Sequence, residues 1–307
     1  MGLHQTIGKM SLGYSADNLL DAELIIMAGT NWSYTVTPLY HFITEAKYNG
    51  SEFVSIAPDY SPNTIHADYH VPVKPGGDAA FWLGMCQVMI AEDLLDREFM
   101  REQCDLALLR RNDTGKFLRA PDVTGEGRID QFYFWDLDTN DLAPASRSTL
   151  AFDGNQALEG EFSVTLHDGS NITVEPVFEG IKRQLAADYT PEKAGEKCGV
   201  HASLIEKIGR KMATKRTLTH TGWGGCKVYH SDLTERAMML ASAFSGNWGK
   251  PGTGQTIYAM PADHMELLMV MEIPLHKGGM DHIAEVRKAV VANMEANDPD
   301  VTPENIG

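Results

Sequence analysis

The chain lacks every cysteine arrangement that would commit it to a metal cluster or a disulfide framework. Its four cysteines, Cys86, Cys104, Cys198 and Cys226, stand far apart with no Cys-x-x-Cys pair. A zinc ribbon needs thiolates paired closely in sequence, and an iron–sulfur ligand run needs several within one short stretch, so neither is encoded. The four are expected as structural thiols. No window approaches the roughly 18 apolar residues that a membrane-crossing helix needs. The first twenty residues show no basic segment leading into a continuous apolar stretch, so the chain is expected to carry neither a direct membrane span nor an export signal.

Positive charge is also scarce. Against 42 Asp and Glu stand 26 Lys and Arg, a net charge of -16, which opposes nucleic acid and anionic membrane surfaces as partners. An anionic ligand would have to be held by local backbone amides and a few placed cations. The common catalytic fingerprints are missing too: there is no Gly-x-x-x-x-Gly-Lys-[Ser/Thr] loop, no Gly-x-Gly-x-x-Gly turn, no Gly-x-Ser-x-Gly elbow and no His-Glu-x-x-His helix. Ordinary ATP, NAD, hydrolase and zinc-protease functions lose support accordingly.

What is present is enough apolar material, 43% of 307 residues, for one large or two modest domains with a sizeable core. Residues 23–28 form a short apolar run closed by Gly29. A polar loop follows to Pro38, then a helical pattern to the Gly50 stop, then a second apolar run from Phe53 to Ala57. Strand, loop, helix and strand in this order predict a βαβ unit, a parallel sheet and a right-handed crossover. A third apolar segment, His70 to Val73, leads through Lys74-Pro75-Gly76-Gly77 into a helix spaced as amphipathic, with Asp78 at its start. From about 105 to 177 the texture changes to short β-like runs broken by Asn, Asp, Gly and Pro, which predicts a β-rich insertion. Helical patterns then resume, followed by the strand-like TLTHTG, a glycine-rich loop and another helix. The expected fold is α/β, with a Rossmann-like parallel sheet, helices on both faces and the insertion set apart. Residues 1–222 are expected to form this cofactor-binding domain, and 223–307 a helical and loop segment of an adjoining α/β domain.

In open parallel sheets ligands sit beyond the carboxyl ends of the strands. Three loops occupy such positions. The first offers Gly29, Thr30, Asn31, Trp32 and Thr37 ahead of a helix, suited to a phosphate or a nucleoside edge, though an ordinary capped turn has the same composition. The second offers Pro58, Asp59, Tyr60, Ser61, Thr64 and Asp68, continued by Pro75, Gly76 and Asp78. Carboxylates here accept hydrogen bonds from a ribose or a purine edge, and Asp78 serves equally well as a helix cap. The third offers Gly222, Trp223, Gly224 and Gly225, which allow close backbone approach, with Lys227 as a fixed cation and His230 as a titratable imidazole. A solvated lysine beside a helix cap is the competing account of that loop. The turn from Asn247 to Gly254 either ends a helix or faces the same ligand.

The stretches GTNWSYTVTP, APDYSPNTIHADYHVPVKPGGDAA and TGWGGCKVYHSDLTERAMMLASAFSGNWGKPGTG, in this order, resemble the molybdopterin oxidoreductases of the dimethyl sulfoxide reductase type. The resemblance covers roughly residues 15–100 and 200–255. It is nearest to the branch with nitrate and selenate reductases, ethylbenzene dehydrogenase and the steroid side-chain dehydrogenases. It implies a molybdenum atom held by two molybdopterin guanine dinucleotides, with the residues named above as cofactor-binding and Lys227, His230 and His4 as catalytic candidates. It implies oxidation or hydroxylation of a small organic substrate with water as oxygen source. The alternatives are reduction of an oxyanion such as nitrate, selenate or chlorate, and a non-catalytic truncated nucleotide-binding module. An unrelated α/β enzyme using a conventional nucleotide is a further, weaker alternative.

Two features of the family are not in this sequence: an N-terminal cysteine or histidine cluster for an iron–sulfur cluster, and an aspartate ligand to molybdenum, which alignment would place just before Met1. Asp17 sits too near the first strand to replace it, so no metal ligand is assigned within the chain. The expectation is an interior piece of a catalytic subunit, inactive alone. The resemblance further implies an iron–sulfur electron-transfer subunit, with a haem subunit as a further candidate, and a periplasmic location, with the cytoplasm as the alternative.

Overall fold

The computed structural model describes residues 6, 15–146, 154–222, 224–225, 227–256 and 279–297. The chain divides into two compact units, one made of residues 1–99 and 182–263, the other of 100–181 and 264–307.

The first unit is built on the βαβ pattern. Strand β1 (Leu24–Ala28) is the run LIIMA, and all five residues are buried, as expected of a parallel strand covered on both faces. A four-residue helix α1 (Trp32–Thr35) and helix α2 (Tyr40–Tyr48) lead back to β2 (Glu52–Ile56). A second short helix, α3 (Pro62–Ile65), leads to β3 (Tyr69–Val71), and α4 (Asp78–Ala91) follows. After the second unit come α5 (Pro191–Cys198), α6 (Ala202–Thr214), β9 (Thr217–Thr221), α7 (Ser231–Phe244) and β10 (Gly254–Thr256). The five strands form one parallel sheet in the order β10-β9-β1-β2-β3. Strand β10 pairs with β9, so residues 231–256 are built into the same unit as β1 to β3.

Helices cover both faces. Leu19, Ile43 and Ala46 pack with Ile25, Met27, Phe53 and Leu218 on one side. On the other, α4 packs against α5, α6 and α7. The sequence spacing suggested an amphipathic α4, but Ala80, Phe81, Trp82, Gly84, Met85, Cys86, Val88 and Met89 are all buried. The helix is apolar nearly all round because it has helices around it as well as the sheet. The thiols of Cys86 and Cys198 are buried and pushed up by burial, as befits packing residues.

A charged cluster ties α6 to the sheet. Lys211 and Lys215 both pair with Glu52, Lys211 at 2.7 Å. Burial raises the Glu52 carboxyl, but the hydrogen bonds and charges of the two lysines outweigh it and bring the pKa down to about 2. A carboxyl depressed in the folded state stabilises the fold fully above its unfolded pKa and loses that contribution as pH falls through about 4.5 to 2. Glu52→Gln should therefore cost about 2 kcal/mol at pH 6 and almost nothing near pH 2. Urea denaturation at several pH values checks this, and a gap independent of pH would remove the assignment.

The second unit has the β texture expected from its turn-rich sequence. Strands β4 (Leu109–Arg111), β7 (Phe162–Thr165) and β8 (Asn171–Pro176) form an antiparallel sheet in the order β4-β8-β7, and β5 (Tyr133–Asp136) and β6 (Asp141–Pro144) form a hairpin. Its core is Leu109, Leu118, Val164, Leu166 and Val174. None of these five strands joins the parallel sheet. Helix α8 (Gly279–Asn297) is assigned to this second unit. No helix among the described residues is long and apolar enough to cross a membrane.

Candidate functional site

In the first unit the chain leaves β1 toward β2 and β3 on one side, while β9 and β10 lie on the other. This is the switch in strand order, the place at the carboxyl edge of an open parallel sheet where a crevice forms. A cleft of about 570 Å³ lies there. Its lining draws on all three predicted loops: Gly29, Thr30 and Asn31 from the first, Pro58, Asp59, Ser61, Pro75 and Asp78 from the second, Gly222, Gly224 and Gly225 from the third.

Close backbone approach shapes this cleft. A Cβ on Gly222 would lie 2.4 Å from Thr30 Cβ and 2.5 Å from the Gly29 carbonyl oxygen, and one on Gly224 would lie 2.6 Å from that same oxygen. Gly29 itself has φ +61°, a left-handed conformation suited to glycine. The loops are cross-tied: Gly222 N–H donates to Ala28 O at 2.9 Å and Gly224 N–H to Gly29 O at 3.0 Å. Asn63, fully buried, braces the first two loops by donating to Thr30 O at 3.0 Å and accepting from Ser33 N–H at 3.1 Å.

That brace alters one expectation. A four-residue helix, α1, forms inside loop 29–38, ahead of the expected helix α2, and its Ser33 amide is taken by Asn63. Asp78 opens the longer α4, preceded by Gly77 at the cap position. Asp78 as a whole is 8% exposed, and burial raises its carboxyl pKa. With Asp59 it gives the cleft two carboxylates on the β2 and β3 side, and no Lys or Arg is among the described lining residues.

Other predicted residues lie elsewhere. Trp32 sits in the core, 1% exposed. Thr37 donates to Ser33 O on the surface, and Thr64 is buried with its hydroxyl against Ser55. Asp68 accepts from Phe53 N–H at 2.7 Å and pairs with Lys47 at 2.9 Å, a structural role that holds β2 to the turn before β3. Tyr60 is exposed with its ring edge-on to His70, and Gly76 forms an open turn at φ +84°. Lys227 and His230 are exposed and flank the lining residue Val228 without lining the cleft themselves. His230 has φ +55° at the cap of α7 and packs on Tyr229. His4 and Trp223 lie outside the described residues.

Sequence reasoning missed His220. It lines the cleft, is 2% exposed, and its ring meets Trp32 edge-on with centroids 4.6 Å apart. Burial brings its pKa down to about 3. Its Nδ1 and the Oγ of Ser61 are buried without a hydrogen-bond partner among the described residues. The signal was available in the strand TLTHT, where an interior strand carries polar side chains next to the ligand edge.

Comparisons with known proteins agree with this architecture. The perchlorate reductase alpha subunit of Dechloromonas aromatica (strain RCB) is 37% identical over 284 residues, covering 84% of this chain and 31% of that protein. The dimethylsulfide dehydrogenase alpha subunit of Rhodovulum sulfidophilum is 32% identical over 259 residues, covering 82% of this chain and 28% of that protein. This chain thus spans less than a third of the length of these curated relatives. Among solved structures, acetylene hydratase from Pelobacter acetylenicus shares the fold with a TM-score of 0.51 at 18% identity, over 82% of this chain and 24% of that one. The family model described as Molybdopterin oxidoreductase matches residues 4–302, and the chain belongs to that family.

Proposed function

We propose that the cleft holds the guanine nucleotide arm of a molybdopterin guanine dinucleotide, and that the chain is the cofactor-holding core of a bis(molybdopterin guanine dinucleotide) oxidoreductase subunit. The observation that carries this is the pairing of two carboxylates, Asp59 and Asp78, with a close-set glycine backbone at the switch between β1 and β9. A carboxylate accepts the adjacent N–H donors of a guanine edge, which an adenine does not offer in that pattern. The unpartnered Ser61 Oγ supplies a further polar contact. When bound, molybdenum supplies two-electron oxo-transfer chemistry, while the protein contributes position and electrostatics.

The relatives favour reduction of an oxyanion over the organic oxidation that the sequence motifs favoured, since one is a perchlorate reductase. Oxidation of a small substrate is kept as the second reading because another relative is a dimethylsulfide dehydrogenase. Lys227 and His230 remain candidates for stabilising charge or moving a proton, as exposed side chains bordering the cleft, and His4 is a third. The proposal extends to an iron–sulfur electron-transfer subunit, with a haem subunit as a further candidate, and to a periplasmic location.

Titration of the chain with GDP and ADP tests the nucleotide reading. GDP should bind more tightly, and Asp78→Ala should weaken it on the order of tenfold or more while leaving weak ADP binding unchanged. Equal binding of the two nucleotides would overturn it. Direction of the reaction is read from a subunit containing this chain, produced in a host that makes the cofactor. Chlorate or perchlorate consumption with reduced viologen supports the reductase reading, and dimethyl sulfide oxidation with an electron acceptor supports the other.

A further inference from the structure

His220 is a buried titratable group that the reading above leaves without a task. Side chains alternate along β9, so His220 shares a sheet face with Leu218 and lies against Trp32. It is 2% exposed yet lines the cleft. Its ring is neutral at ordinary pH, because burial holds the pKa near 3, and so it carries one N–H and one lone pair. Nδ1 is buried with no partner among the described residues. A buried N–H without an acceptor is tolerated less often than a lone pair without a donor, which places the proton on Nε2.

Among its described residues, the glycine loop beside it has few amides to offer. Gly222 N–H is engaged by Ala28 O, Gly224 N–H by Gly29 O, and Gly225 N–H by Gly222 O at 3.2 Å. The two lining carboxylates follow β2 and β3, across β1 from His220, and repel phosphate. A nucleotide whose base meets the carboxylates therefore has its phosphates toward β9, where a neutral donor is needed.

We propose that His220 is that donor, giving a hydrogen bond from Nε2–H to a phosphate oxygen of the bound nucleotide. This rests on the nucleotide reading of the cleft. His220 then fixes where the phosphates turn at the switch point without adding charge to an acidic chain.

The test uses the full chain, with GDP and guanosine as probes. His220→Phe keeps a flat ring and removes the donor; it should weaken GDP about tenfold and leave guanosine affinity unchanged. His220→Gln retains a donor at similar reach and should return GDP affinity to within about threefold of the parent. Nitrogen-15 NMR of the histidine-labelled chain should show the His220 proton on Nε2, with a shift on adding GDP but not guanosine. Equal GDP binding by the parent and His220→Phe, equal losses for GDP and guanosine, or a proton on Nδ1 would overturn the role of His220 alone. If His220→Phe does not fold, the Gln variant and the NMR shift decide. Failure of the unaltered chain to bind GDP would instead overturn the nucleotide reading, and this hydrogen bond with it.

Discussion

Gly222→Ala should lower the stability of the chain by about 3 kcal/mol and abolish GDP binding even well below the melting range. The added Cβ would lie 2.4 Å from Thr30 Cβ, 2.5 Å from Gly29 O and 2.7 Å from Thr30 Cα. These atoms belong to backbone or sit next to it, so no side-chain rotation relieves the clash. The loop after β9 would have to withdraw from the loop after β1, breaking the Gly222 to Ala28 and Gly224 to Gly29 hydrogen bonds that shape the crevice. A melting temperature lower by on the order of 10 °C is the expected reading for a unit of this size. Gly76→Ala is the control. A Cβ there meets nothing within 4 Å, so only the cost of its positive φ, about 1 kcal/mol, should be seen, with GDP binding intact. Retained GDP binding in Gly222→Ala would mean that the two loops do not need their close approach.

Trp32→Ala should cost about 4 kcal/mol, the usual range for removing a large aromatic side chain from a packed core. Trp32 is 1% exposed, packs with Ile25, Met27, Ile43, Phe53 and Leu218, and covers the ring of His220. The second consequence is electrostatic. With the indole gone, water reaches His220, and its pKa should rise from about 3 toward the ordinary value of 6.5. In the parent chain the depressed value makes folding stability fall as pH drops from about 6.5 toward 3, because the unfolded chain takes up a proton that the folded chain refuses. The variant should be less stable everywhere but less sensitive to pH in that window. Chemical denaturation across pH, with NMR titration of His220, measures both. A loss under 1 kcal/mol, or a His220 titration that does not move, would show that Trp32 is not what keeps this ring dry.

The parallel sheet was legible in the sequence because its signals are local. LIIMA followed by Gly29, the helix ending before Gly50, and the run after it carry the periods and stops of a βαβ unit within about thirty residues. The turn-rich stretch from about 105 to 177 likewise announced a β-rich insertion, though not that its strands pair antiparallel. Glycine and aspartate in strand-end loops pointed to the ligand edge, because the carboxyl end of a parallel strand is fixed by chain direction alone.

Which residues of those loops face the cleft was decided by tertiary contacts. Asp59 and Asp68 belong to the same loop, yet Asp68 is drawn away by the Phe53 amide and Lys47 while Asp59 lines the cleft. Loop composition does not distinguish them, since the partners that do so come from β2 and α2. The third-loop glycines suggested close backbone approach, but not what they approach; the fold engages the Gly224 amide with Gly29 from a loop far away in sequence. His220 was hidden for the same reason. A histidine in a strand is exposed, paired or ligand-facing according to what covers that face, and here the cover is Trp32 from the loop after β1. Local periodicity fixed the strands, the helices and the chemistry available at their ends. Long-range packing alone determined burial, protonation and orientation, because each depends on atoms contributed by parts of the chain that meet only after folding.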